Sequence, residues 1–148
     1  MKPLFFSALK EEFMDVFPWR EQYSVGIRKL DEQHKQLVGH LNSLYRALHE
    51  GKGKETLDPV FSGLIQYTKT HFSAEEGLMK LHGYPDYEAH RNVHNKMTEH
   101  VLKLNRELAS GEITSPVQIA NFLKDWLSKH IMETDRKHGP FLRGRGVA

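Results

Sequence analysis

Apolar residues recur along most of this chain in steps of three and four. One such seam reads His34, Leu37, Leu41, Leu44, Leu48, and a second Phe61, Leu64, Thr68, His71, Glu75, Leu78. A third is Tyr87, His90, His94, Met97, Val101, Leu104, Leu108, and a fourth Ile119, Leu123, Trp126, His130. That spacing keeps one helical face turned to a partner, as in a bundle core. Helix punctuation falls between the seams. Asp31 is placed to cap the first helix, and Gly51 and Gly53 end it. Asp58-Pro59 opens the second as a cap followed by a first-turn proline, and Gly83 and Pro85 stop it. The third runs from about Asp86 to Ala109 and closes at Gly111. Ser115-Pro116 starts the fourth, which is expected to fray near Gly139. Strand patterns are absent. Four helices joined by short loops want antiparallel neighbours, so the expected fold is all-α: an up-down-up-down four-helix bundle.

Residues 1–18 stand apart from the seams. Phe5, Phe6, Leu9, Phe13, Val16 and Phe17 suit a short amphipathic helix ending before Pro18. It can pack on the domain as an extra helix, or dock a partner or a second copy of the chain. Residues 19–30 carry no period and read as an extended arm anchored by Trp19, Tyr23, Val25 and Ile27. The expected organisation is thus an extension (1–18), a helical domain (19–142) and a glycine-rich, loose tail (143–148).

At 148 residues the chain is long enough for one domain with a real core. Its net charge is +2, with Lys and Arg scattered among Asp and Glu. No basic stripe appears, which argues against nucleic-acid binding. The absence of cysteine excludes disulfides, iron–sulfur clusters and thiolate zinc sites. It also fits a reducing compartment, and the expected location is cytoplasmic. The apolar run in MKPLFFSALKEEF is too short for a signal peptide or a membrane span. The unusual quantity is histidine, at ten residues.

Several of these histidines occupy seam positions where leucine would be expected. His90 and His94 lie one turn apart on one helical face. In an antiparallel hairpin, residues equally far from the connecting loop share a height. His34 precedes Glu50 by 16 positions and His71 follows Leu57 by 14; His94 precedes Ser110 by 16 and His130 follows Pro116 by 14. At a helical rise of about 1.5 Å per residue, all four lie roughly 21–24 Å from their loops. Every helix therefore brings an inward imidazole to nearly one layer, the pattern of a metal site spanning the bundle. Glu75 follows His71 by four and shares its face. Asp135 follows His130 by five, about 140° around an ideal helix, so it reaches the layer only if the last turn is distorted.

Five histidines and two carboxylates exceed the needs of one first-row ion and suit two; imidazole with carboxylate fits iron, zinc or copper. If both carboxylates and one hydroxide bridge, a three-histidine metal has six ligands and a two-histidine metal has five. One position then stays open, on one metal only. Two ferrous ions in such a site can give dioxygen one electron each, with few polar groups nearby to drive oxidation of a substrate.

The stretches WREQYSVGIRKLDEQHKQL, HFSAEEGLMKLHGYPDYEAHRNVH and WLSKHIMETD resemble the bacterial hemerythrins, over about Trp19 to Leu142. The set H-x3-E, H-x3-H and H-x4-D after a separate histidine is specific, and the gap to Asp135 is that family's own. The resemblance implies a di-iron centre. His90, His94 and His130 would hold the six-coordinate iron and His34 and His71 the open one. Glu75, Asp135 and a hydroxide or oxide would bridge. It implies reversible dioxygen binding, a pocket lined by Leu37, Phe72, Trp126 and Leu127, and access for anions such as azide when oxidised. His40, His49, His82, His100 and His138 match no ligand position and are expected at the surface. Three other functions compete with dioxygen carriage, storage or supply. They are a di-iron peroxidase, oxidase or nitric-oxide-reducing enzyme; an oxygen sensor acting through a partner; and a structural zinc site. The imidazole-rich donor set disfavours the enzyme, and an open position disfavours structural zinc.

Overall fold

The computed structural model describes residues 17–51, 54–112 and 115–148; at positions 54, 116, 117, 120 and 133–135 the backbone alone is described. The segment 1–16, where an amphipathic helix is expected, lies outside the described residues, as does Gly53. After a single 3-10 turn at Glu21–Tyr23 come α1 (Arg28–His49), α2 (Lys54–Leu81), α3 (Tyr87–Ser110) and α4 (Pro116–Lys129). A π-helical turn, His130–Asp135, leads from α4 into α5 (Arg136–Gly144). Among the described residues there are helices and turns but no strand. α1 packs on α2 and α4, α2 also on α3, and α3 meets α4 more slightly.

Each helix buries the seam that its sequence marks. Leu37, Leu41, Leu44, Phe61, Leu64, Val101, Ile119, Leu123 and Leu127 form one cluster. Removing each such side chain from water is worth about 1.5–3 kcal/mol. Gly111 ends α3 at φ 81°, a left-handed conformation that a Cβ would disfavour. Ser115 caps α4 by accepting the Gln118 N–H, with Pro116 in the first turn.

Two helix starts differ from expectation. α1 begins at Arg28, so Asp31 lies inside its first turns and does not cap it. Its carboxylate instead accepts the Val25 N–H at 2.8 Å and the Ser24 hydroxyl, fastening the preceding arm. α2 begins at Lys54 and carries Pro59 within it. A proline so near a helix start removes only one backbone hydrogen bond, which lets an extra turn form ahead of it.

The arm is held mainly by its backbone. The side-chain amide of Asn42 accepts the Phe17 N–H at 3.1 Å and donates to the Phe17 carbonyl. Arg136 donates to the Gln22 carbonyl and Arg143 to the Val25 carbonyl. Val25 and Ile27 are buried with Leu30 and Leu142 in a second cluster, against which Val147 packs. The helix expected to fray near Gly139 therefore continues to Gly144, because this face of α5 is buried against the arm. Beyond it, the Val147 N–H donates to the Leu142 carbonyl at 3.1 Å.

Candidate metal centre

Each of the four bundle helices delivers a buried imidazole to one place. His34 comes from α1, His71 from α2, His90 and His94 from α3, and His130 from the end of α4. His34, His71 and His130 are 0% exposed, as is Glu75, while His94 is 1% and His90 5% exposed. Glu75 Oε1 lies 2.8 Å from His71 Nε2, 3.1 Å from His130 Nε2 and 3.5 Å from His94 Nε2. The ligand atoms of His34, His71, Glu75 and His130 all lie within 4.8 Å of one another. The His130 ring sits between the two halves of the cluster, its centroid 5.1 Å from His71 and 5.4 Å from His94.

Two outward-facing ring nitrogens are fixed by residues that the sequence pattern does not single out. His71 Nδ1 lies 2.7 Å from Gln33 Oε1, and His94 Nδ1 lies 2.9 Å from Glu76 Oε2. Both oxygens accept, so both Nδ1 atoms carry the proton and Nε2 presents its lone pair inward. This is the usual arrangement behind metal-ligating histidine. Burial pushes the Glu76 carboxyl above the usual range, and Arg91 opposes that shift. The inward nitrogens crowd one another: His71 Nε2 and His130 Nε2 are 3.0 Å apart. Electron pairs converging on a carboxylate in a dry core call for a cation. Several protonated imidazoles so close would bury like charges. The donor set therefore fits metal ions held between these nitrogens and Glu75.

The backbone from His130 to Asp135 is a π-helical turn. Its hydrogen bonds close over five residues and not four, so backbone position 135 lies nearer the face of position 130 than an α-helix would put it. The turn also shifts the phase of the fourth seam, which is taken up again by the buried His138 and Leu142. His138 is thereby carried inward, and its expected surface position is corrected. It is 0% exposed, with Nε2 2.7 Å from Glu75 Oε2. Glu75, His90 and His138 form a second group of ligand atoms within 4.8 Å, sharing Glu75 with the first. The steps of three and four that follow the step of five are the signal in the sequence; a constant helical period hides it. Of the other histidines expected outside, His49 and His100 are exposed and His40 and His82 half-buried.

Above the centre the walls are apolar. Leu37, Leu41, Leu64, Leu123, Trp126 and Leu127 surround a void too narrow for a water-sized sphere. Phe72 stacks on His94, ring centroids 3.9 Å apart and planes 1° from parallel. Trp126 is oriented by its indole N–H, which donates to the Met97 carbonyl at 3.0 Å.

Comparison with known proteins points to one family. A bacteriohemerythrin of Methylococcus capsulatus is 30% identical over 121 residues, covering 82% of this chain and 92% of the relative. A bacteriohemerythrin of Pseudomonas aeruginosa is 32% identical over 117 residues, covering 79% and 75%. A myohemerythrin of Theromyzon tessulatum is 25% identical over 127 residues, covering 86% and 94%. The crystal structure of a wild-type hemerythrin superposes with a TM-score of 0.77 at 28% identity, covering 86% of this chain and 98% of that one. The family model described as the hemerythrin HHE cation binding domain matches residues 25–142. The chain belongs to the hemerythrin family.

Proposed function

We propose that this protein binds dioxygen reversibly at a non-haem di-iron centre and serves to carry, store or supply it. The observation that carries this reading is Glu75, fully buried, with histidine nitrogens from α2, α3 and α4 within 3.5 Å of one carboxylate oxygen. His90, His94 and His130 would hold one iron and His34 and His71 the other, with Glu75, Asp135 and a hydroxide or oxide bridging. The pair, when bound, supplies the two electrons that dioxygen takes up.

The chain's own residues do the rest. Gln33 and Glu76 fix the ring tautomers, so the ligand nitrogens are set before metal arrives. Leu37, Trp126 and Leu127 offer apolar walls, so a water or other polar intruder there would be buried without partners. Phe72 braces His94 against tilting. Among the described residues, the walls of this void, Leu37, Leu41, Leu64, Leu123, Trp126 and Leu127, supply no acid or base for a second substrate, which favours a carrier over an oxidase or peroxidase. Small anions such as azide are expected to enter the oxidised centre at the same open position. Among the described residues, no helix is long and apolar enough to cross a membrane.

The test is an absorption spectrum of the iron-loaded, reduced protein without oxygen, after air and after degassing, beside metal analysis. Two irons per chain and a band that appears with air and leaves on degassing are expected. One iron, or zinc in its place, overturns the di-iron reading. A band that cannot be reversed, with turnover of added reductant, shifts the assignment to an enzyme.

A further inference from the structure

His138 is a sixth histidine at the centre, and neither the family motif nor the coordination count gives it a task. It sits in α5, fully buried, its ring 4.9 Å from that of His90 and 6.3 Å from that of Tyr84. Its Nε2 is 2.7 Å from Glu75 Oε2, while Glu75 Oε1 faces His71, His94 and His130. A carboxylate oxygen can only accept, so the Nε2–H donates.

We propose that His138 is a positioning residue for the bridging carboxylate. It holds Glu75 in one orientation by donating to Oε2 and leaves the metal-facing lone pairs of both oxygens available. Glutamate has three rotatable side-chain bonds, and lone pairs facing a carboxylate do not favour one rotation of it before metal binds. The His138 donor on the far oxygen does. Each carboxylate oxygen has two lone pairs, so accepting this bond does not prevent Oε2 from bridging. Ligation by His138 itself is disfavoured by the count. His138 lies beside His90, whose iron would already have six ligands from three histidines, two carboxylates and a hydroxide, so an eighth donor there would have no position to take. This inference rests on the di-iron reading.

The experiment compares the full chain with His138→Phe, which keeps a ring but has no donor, and His138→Gln, whose amide N–H reaches about as far as Nε2. Three quantities are read: iron release to a chelator, the unfolding midpoint of the metal-free chain, and the ring N–H resonances displaced by ligation to paramagnetic iron. Loss of a hydrogen bond behind a metal ligand weakens retention by about 10–100-fold. The Phe variant should show that loss and the Gln variant should recover most of it. The metal-free midpoints should stay close, and five displaced resonances should appear in every form. Equal retention in the Phe variant overturns the proposal. So does equal loss in both variants with parallel loss of metal-free stability, which would make His138 structural. Six displaced resonances in the original protein, falling to five in the variants, would make it a ligand. If the Phe variant does not fold, His138→Leu replaces it. Failure of the original protein to hold two irons counts against the di-iron reading, whatever the variants do.

Discussion

Leu127 lies three residues before His130, and its side chain is 1% exposed at the wall of the apolar void. Shortening it to Ala should cost about 2–5 kcal/mol of stability. It should also open the pocket to water, so the oxygenated protein should decay to the oxidised form faster and azide should bind faster. The spectrum of freshly oxygenated protein should change little, because no metal ligand is touched. Decay rates of the two proteins at one pH and temperature check this, and equal rates would mean that Leu127 does not guard the pocket. His94→Ala acts differently: it removes a ring that faces Glu75 and takes from Glu76 the imidazole N–H that it accepts. Iron content and unfolding midpoint should both fall, since metal binding contributes to folding. Unchanged iron per chain would refute the role of His94. The inward histidines of the seams were legible in the sequence because a polar side chain at an apolar period is conspicuous. Gln33 and Glu76 were not, since a polar residue beside a seam looks like any solvated neighbour until the fold shows which nitrogen it faces.

At the scale of elements, the seams forecast four helices and their antiparallel order, and glycine and proline marked most ends. The boundaries misjudged at Asp31 and Gly139 share a cause: a tertiary contact outweighed a local signal. Asp31 looks like a cap but fastens the arm, and Gly139 looks like a helix stop but is a site of close packing. A Cβ built on Gly139 would meet the Val25 carbonyl oxygen at 2.9 Å. In an exposed helix Gly→Ala stabilises by about 1 kcal/mol. Here Gly139→Ala should destabilise, by about 1–3 kcal/mol, because backbone must move to admit the methyl. A thermal melt decides the sign, and a raised midpoint would show that α5 and the arm are not packed this tightly. The π-helical turn is the element that sequence periodicity could least foresee. It inserts one residue into a helix, and every position after it changes face, His138 among them.

For the whole molecule, the ligand-bearing helices all begin at or after Arg28, and the arm before them is described back to Phe17, which is 2% exposed and bonded to Asn42. Deleting residues 1–16 should therefore leave iron loading intact; a truncated protein that takes up no iron would show that the segment belongs to the core. A normal iron content with an altered mass in sedimentation would point to self-association through that segment. The way the arm is bound has a separate consequence. Asn42 reads the N–H and carbonyl of Phe17, Arg136 the carbonyl of Gln22, Arg143 the carbonyl of Val25, and Asp31 the N–H of Val25. Each of these bonds is blind to the side chain it passes. Substitutions along the arm can then accumulate without breaking any of them, provided the apolar anchors keep their size. Much of what holds the arm is thus written in the helices, so its exposed amino acids can drift while its path stays the same, and only the buried anchors, Ser24 and the positive-φ Gly26 are held to their identities. The family model begins to match only at residue 25, although Phe17 is already part of the buried core.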